Sequence, residues 1–132
     1  RPAIARTAPS SARGNGQRVL FVDDELALVN VAQRWFQRFG FHVTPCARPD
    51  DALARFRRGP GEYDLVITDL SMPGMSGLEL ARAILQIRPG MPIVLASGHL
   101  SQEQHDAARS LGISVLAKPY TLDDLARCVT RI

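Results

Sequence analysis

Cysteine is nearly absent from this chain: Cys46 and Cys128 are the only two. Two thiols so far apart make neither a metal-binding pair of pairs nor a disulfide framework, so two reduced thiols in a cytoplasmic domain are expected. Long apolar runs are lacking as well. No stretch approaches the roughly 18 residues needed to cross a bilayer. The polar amino terminus has no apolar stretch of the kind that marks a signal peptide. Membrane contact by this segment is therefore not expected, although a parent protein with an anchor elsewhere is compatible with it. An initiator Met is missing, since the chain opens on Arg1, and this fits a piece excised from a longer protein.

Lysine is scarcer still, as rare as tryptophan. Lys118 is the only one, and the other 15 basic residues are arginine. Net charge is also less than it looks. The formal value of +3 hints at nucleic acid, but Arg1, Arg6 and Arg13 lie in residues 1–17, which hold no acid. The 13 basic residues that remain in 18–132 face 13 acids. A neutral body with no recognition-helix pattern is not expected to bind nucleic acid.

The 132 residues suit one domain. With 45% hydrophobic and 22% charged residues, a packed core is expected rather than disorder. Residues 1–17 (RPAIARTAPSSARGNGQ) are rich in Pro, Ala, Ser and Gly without apolar periodicity and are expected to be a linker. From Arg18 onward, five short apolar runs recur: 18–22, 41–44, 64–68, 92–96 and 113–117. The first, third, fourth and fifth are almost continuous in Val, Leu and Ile, as in strands buried on both faces. The run 41–44 is more polar and fits an edge strand.

Helical periodicity fills the gaps. Leu28, Ala32, Trp35 and Phe39 share one face, as do Leu80, Ile84 and Ile87, and again Leu122, Leu125, Val129 and Ile132. Ala52, Leu53 and Phe56 line a shorter helix opened by Asp50 and Asp51. Ser76 with Glu79 and Ser101 with Gln104 read as capping boxes. Gly40 and Gly59 follow helices. Strict strand–helix alternation predicts an α/β fold with a five-stranded parallel sheet covered by helices on both faces. Right-handed crossovers favour the flavodoxin-like order 2-1-3-4-5. Ligands of such sheets sit beyond the carboxyl ends of the strands.

Polar residues converge on that edge. Strand 1 ends at Asp23-Asp24-Glu25, strand 3 at Asp69, strand 4 at Ser97 and strand 5 at Lys118-Pro119. Three nearby carboxylates repel, and at least one is pushed toward its protonated form unless a cation intervenes. Hard oxygen ligands suit Mg²⁺, with Mn²⁺ as the alternative. Asp24 would in part serve as an N-cap of the first helix. The lone Lys118 suggests a site that needs a compact ammonium, for which the wide arginine fork is no substitute. Ser97 offers a hydroxyl to a phosphoryl oxygen, and Gly98 lets backbone approach closely. A cis bond at Lys118-Pro119 would aim the lysine into the site.

These runs resemble a known family. Val22-Asp-Asp-Glu25, Thr68-Asp-Leu-Ser-Met-Pro-Gly-Met-Ser-Gly77, Ala96-Ser-Gly98 and Ala117-Lys-Pro-Tyr120 look like the receiver domain of two-component signalling, over roughly residues 18–132. The resemblance implies that Asp69 accepts a phosphoryl group from a phospho-histidine domain of a sensor kinase or phosphotransfer protein. It implies Asp24 as a direct metal ligand, Asp23 as the acid holding metal-bound water, and the Ser71 carbonyl completing the protein ligands. Lys118 and Ser97 then correspond to the lysine and hydroxyl that meet the phosphoryl group. In the family, residues placed like Ser71 and His99 help set the lifetime of the phosphorylated state.

Val115 departs from the pattern, since many members carry an aromatic switch at that place. The family reading that fits best is the C-terminal receiver of a hybrid sensor histidine kinase. A response regulator with a separate output domain is the alternative. An Asp-nucleophile phosphatase fits less well, because Ser71 stands where such enzymes usually carry a second acid. A flavin-binding module is disfavoured, because Asp23 and Asp24 would repel its phosphate.

Overall fold

The computed structural model describes residues 16–129. Most of the expected linker, and Ile132 on the last helix, lie outside the described residues. Five strands alternate with five helices: β1 (Arg18–Val22), α1 (Leu26–Arg38), β2 (His42–Cys46), α2 (Pro49–Arg58), β3 (Leu65–Asp69), α3 (Gly77–Ile87), β4 (Ile93–Ser97), α4 (Gln102–Leu111), β5 (Ser114–Ala117) and α5 (Leu122–Val129). A short 3₁₀ turn, Pro60–Glu62, leads into β3. The sheet is wholly parallel in the order β2-β1-β3-β4-β5, as the alternation predicts. Gly16 and Gln17 are already tied to it, through Gly16 N–H to the Gly40 carbonyl and His42 N–H to the Gln17 carbonyl, both at 2.9 Å.

Side chains alternate across the pleat. Val19 and Phe21 point to one face of the sheet, where Phe36 and Phe41 pack with Leu125 and Val129. Leu20 and Val22 point to the other, where Leu53, Phe56, Leu80 and Ile84 cover the sheet. Both helix boxes form as expected. Ser76 Oγ accepts from Glu79 N–H, Ser101 Oγ accepts from Gln104 N–H, and each partner side chain returns a bond to the cap. α4 stops at Gly112, whose φ of 74° is left-handed and suits glycine.

Asp69 and Ser97 end β3 and β4, as expected. Four expectations need correction. β2 runs two residues past its apolar run, to Cys46. The buried stripe of α1 is Val29, Ala32 and Phe36, one position on from much of the expected face. Leu28, Trp35 and Phe39 flank it half-buried. β5 is not buried on both faces. It pairs with β4 alone, and only Leu116 of its four residues is buried. Finally, Asp24 does not cap α1: Glu25 holds the N-cap place without a side-chain bond, and Asp23 Oδ1 accepts the Glu25 N–H at 2.9 Å.

Candidate functional site

β1, β3, β4 and β5 end at one edge, and backbone bonds hold those ends in register. Asp23 N–H donates to the Cys46 carbonyl (3.0 Å), Leu70 N–H to that of Ala96 (2.9 Å) and Lys118 N–H to that of Ser97 (2.9 Å). The chain therefore leaves every strand at the same level. Asp23, Asp24 and Asp69 gather there, each with a ligand atom, all within 4.8 Å of one another. Asp23 is 2% exposed and Asp69 8%, so two of these carboxylates have little water of their own. Asp24 is exposed.

Lys118 lies among them. Its Nζ is 3.1 Å from Asp69 Oδ1 and 3.3 Å from Asp23 Oδ2. The Lys118–Pro119 peptide is cis. Burial works against the ammonium, but hydrogen bonds and charge from Asp69 and Asp23 outweigh it and hold its pKa above that of an ordinary lysine. Burial is also the largest influence on Asp69. With the Asp23 and Asp24 charges added, it outweighs the help from Lys118 and keeps the carboxyl above the usual range. One ammonium does not satisfy three carboxylates. This donor set, hard oxygens crowded and under-neutralised, fits a small divalent cation.

Ser97 is 7% exposed. Its hydroxyl donates to the His99 carbonyl at 2.7 Å and accepts the His99 N–H at 3.0 Å. The hydroxyl is thus engaged in its own loop. Ser71, two residues past Asp69, is exposed on the β3–α3 loop. The neck of that loop is closed by Gly77 N–H donating to the Leu70 carbonyl at 2.8 Å. Val115 is 40% exposed and places no ring near the edge. Two contacts escaped sequence reasoning: the Thr68 hydroxyl donates to the Asp69 carbonyl at 3.0 Å, and Gly77 lies against that same carbonyl. A glycine at the first position of a helix, where propensity disfavours it, was the available signal for the second.

The model of the response regulator receiver domain matches residues 19–130. The chain belongs to that family. Among curated relatives, the two-component response regulator ARR10 of Arabidopsis thaliana is 34% identical over 111 residues, 83% of this chain and 20% of its own length. The C4-dicarboxylate transport regulator DctD of Rhizobium meliloti is 32% identical over 86% of this chain and 24% of its own. This receiver domain thus spans between a fifth and a quarter of those two proteins. The receiver protein CpdR of Brucella abortus, at 29% identity, is matched over 96% of its length and 88% of this chain. Among solved structures, chemotaxis protein CheY4 of Vibrio cholerae superposes with a TM-score of 0.80 at 26% identity, covering 89% of this chain and 98% of CheY4. The receiver domain of the hybrid histidine kinase CckA gives 0.73 at 30% identity, covering 86% and 96%.

Proposed function

We propose that this receiver domain takes a phosphoryl group onto Asp69 from a phospho-histidine, with Mg²⁺ held at Asp23, Asp24, Asp69 and the Ser71 carbonyl. The observation that carries the reading is the meeting of three carboxylates and the only lysine of the chain at one strand edge, with Lys118 Nζ 3.1 Å from Asp69 Oδ1. A bound cation would supply charge neutralisation and a coordination point for a phosphoryl oxygen.

The residues of the chain do the rest. An Asp69 carboxylate oxygen attacks phosphorus as the P–N bond of the phospho-histidine breaks, and the imidazole leaves with the bonding pair. Negative charge spreads over the three equatorial oxygens in the transition state. Lys118, already beside Asp69, meets one of them. Ser97 meets another by turning its hydroxyl from the His99 carbonyl. Water later attacks phosphorus, and the bond to the Asp69 oxygen breaks to free the carboxylate and inorganic phosphate. Ser71 and His99, positioned in the sequence like the family residues that help set this lifetime, would influence the rate.

Two parent proteins are compatible with this chemistry. The curated relatives ARR10, DctD and CpdR favour a response regulator. The likeness to the CckA receiver keeps a hybrid histidine kinase as the second reading. Exposed Val115 favours an output that does not depend on an inward-turning ring at that place. Among the described residues no helix is long and apolar enough to cross a membrane.

The test is intact mass after incubation with Mg²⁺ and acetyl phosphate. Wild type should gain one phosphoryl group and Asp69→Asn none. An equal adduct on both would refute the assignment. Multiple turnover of simple phosphate esters would point instead to a phosphatase.

A further inference from the structure

Gly77 opens α3 and is buried. A Cβ placed on it would lie 2.1 Å from the carbonyl oxygen of Asp69, 2.9 Å from the carbonyl carbon and 2.9 Å from Leu95 Cδ1. Real Cβ atoms essentially never come within 3.0 Å of a neighbour. The obstructing group is main chain, so it cannot swing aside as a side chain would. By contrast, Gly74 and Gly98, on the neighbouring loops, have nothing within 4 Å of such a Cβ.

That carbonyl belongs to the peptide of the acceptor itself. It is held from another side by the Thr68 hydroxyl at 3.0 Å. The same peptide is pinned by Leu70 N–H to the Ala96 carbonyl, and the next one by Gly77 N–H to the Leu70 carbonyl. A methyl group at position 77 would therefore displace the Asp69 peptide or prise open the loop that carries Ser71. The displacement required is about 1 Å, and misplacement on that scale costs roughly a hundredfold in a positioned reaction.

We propose that Gly77 is a positioning residue for the acceptor, its missing side chain leaving the clearance in which the Asp69 peptide sits. This rests on Asp69 being the phosphoryl acceptor. Gly77 touches no reacting atom and acts only by placing the Asp69 carboxylate against Lys118 and the two acids that follow β1.

The test compares the full chain with Gly77→Ala, Thr68→Val, Ile84→Val and Asp69→Asn. Three quantities are read: folded fraction by circular dichroism, Mg²⁺ affinity by calorimetry without any phosphoryl donor, and initial phosphorylation rate by intact mass with Mg²⁺ and acetyl phosphate. Folded Gly77→Ala should phosphorylate about a hundredfold more slowly and bind Mg²⁺ more weakly. Thr68→Val, which removes a bond to the same carbonyl without adding bulk, should show a smaller loss of both. Ile84→Val thins the core on the same helix and should lose stability alone.

Wild-type rate and Mg²⁺ affinity in folded Gly77→Ala would overturn the proposal. If Gly77→Ala does not fold, Thr68→Val decides, and unchanged values there would overturn it. If wild type gains no phosphoryl group, or gains it equally in Asp69→Asn, the acceptor reading fails, and Mg²⁺ affinity alone then judges the role of Gly77.

Discussion

The sheet has an interior and an edge, and they are built on opposite terms. In the interior, β1, β3 and β4 present Val, Leu, Ile, Phe and Ala to two apolar layers. Around Phe36, aromatic rings meet at 5.1 to 6.3 Å, three of the contacts edge-on. At the carboxyl edge stand all the buried polar residues among the described ones: Asp23, Thr68, Asp69 and Ser97. The interior lowers its free energy by hiding surface from water. The edge places carboxylates together against their own repulsion. Apolar packing thus occupies one region and crowded charge the other, a few residues apart along the same strands.

The sharpest break of that comparison is Phe36→Ala. Truncating this fully buried ring should cost about 3–5 kcal/mol of folding free energy, measured by denaturant titration. The fraction that remains folded should still take up phosphate at the wild-type rate. A rate that falls with stability would show that the two regions are not separable.

Next in size is Lys118→Arg, which keeps the charge and changes its shape. Loss of a positioned donor typically costs about a hundredfold or more in rate. Phosphorylation should fall on that scale with little change in melting temperature, and a wild-type rate would refute the need for a compact ammonium.

A smaller effect concerns charge at the edge. The Asp69 carboxyl, raised chiefly by burial, favours the folded state while protonated. That contribution is present below its ordinary value, about pH 4, and is lost as pH rises through the higher folded value. Without metal, Asp69→Asn should therefore melt progressively above wild type as pH climbs from acid to neutral. Mg²⁺ should act in the opposite sense, stabilising wild type by about 1.4 kcal/mol at ten times its Kd and Asp69→Asn by less at the same concentration. A pH-independent gap between the two proteins would contradict the crowding of acids.

The smallest effect is at Tyr120. Its hydroxyl is buried without a hydrogen-bond partner, and burial raises its pKa well above the ordinary value, with Asp23 and Asp69 adding to the shift. Tyr120→Phe should gain about 1 kcal/mol of stability, since an unpaired buried donor is removed.

Much of this was legible in the chain, because period and position carry it. Continuous Val, Leu and Ile runs announced the strands, and the alternation with helices announced their order. Parallel strands then brought Asp23, Asp69, Ser97 and Lys118 to one edge without further assumptions. What escaped depends on contacts between distant segments. β5 reads like a central strand, yet among the described residues no strand lies beyond it in the sheet. The phase of α1 slipped because Phe36 and its flanking rings are all apolar, and periodicity alone cannot choose among them. The clearance at Gly77 is a fact about the Asp69 carbonyl, eight residues back, and only the fold brings the two together.

The most direct test of the account asks where the phosphoryl group is. After incubation with Mg²⁺ and acetyl phosphate, borohydride reduction converts an acyl phosphate on aspartate to homoserine, which peptide mass spectrometry can locate. The account predicts homoserine at position 69 and at none of Asp23, Asp24 or Asp64. Homoserine at any of those positions, or none in a protein that carries the added mass, would contradict it.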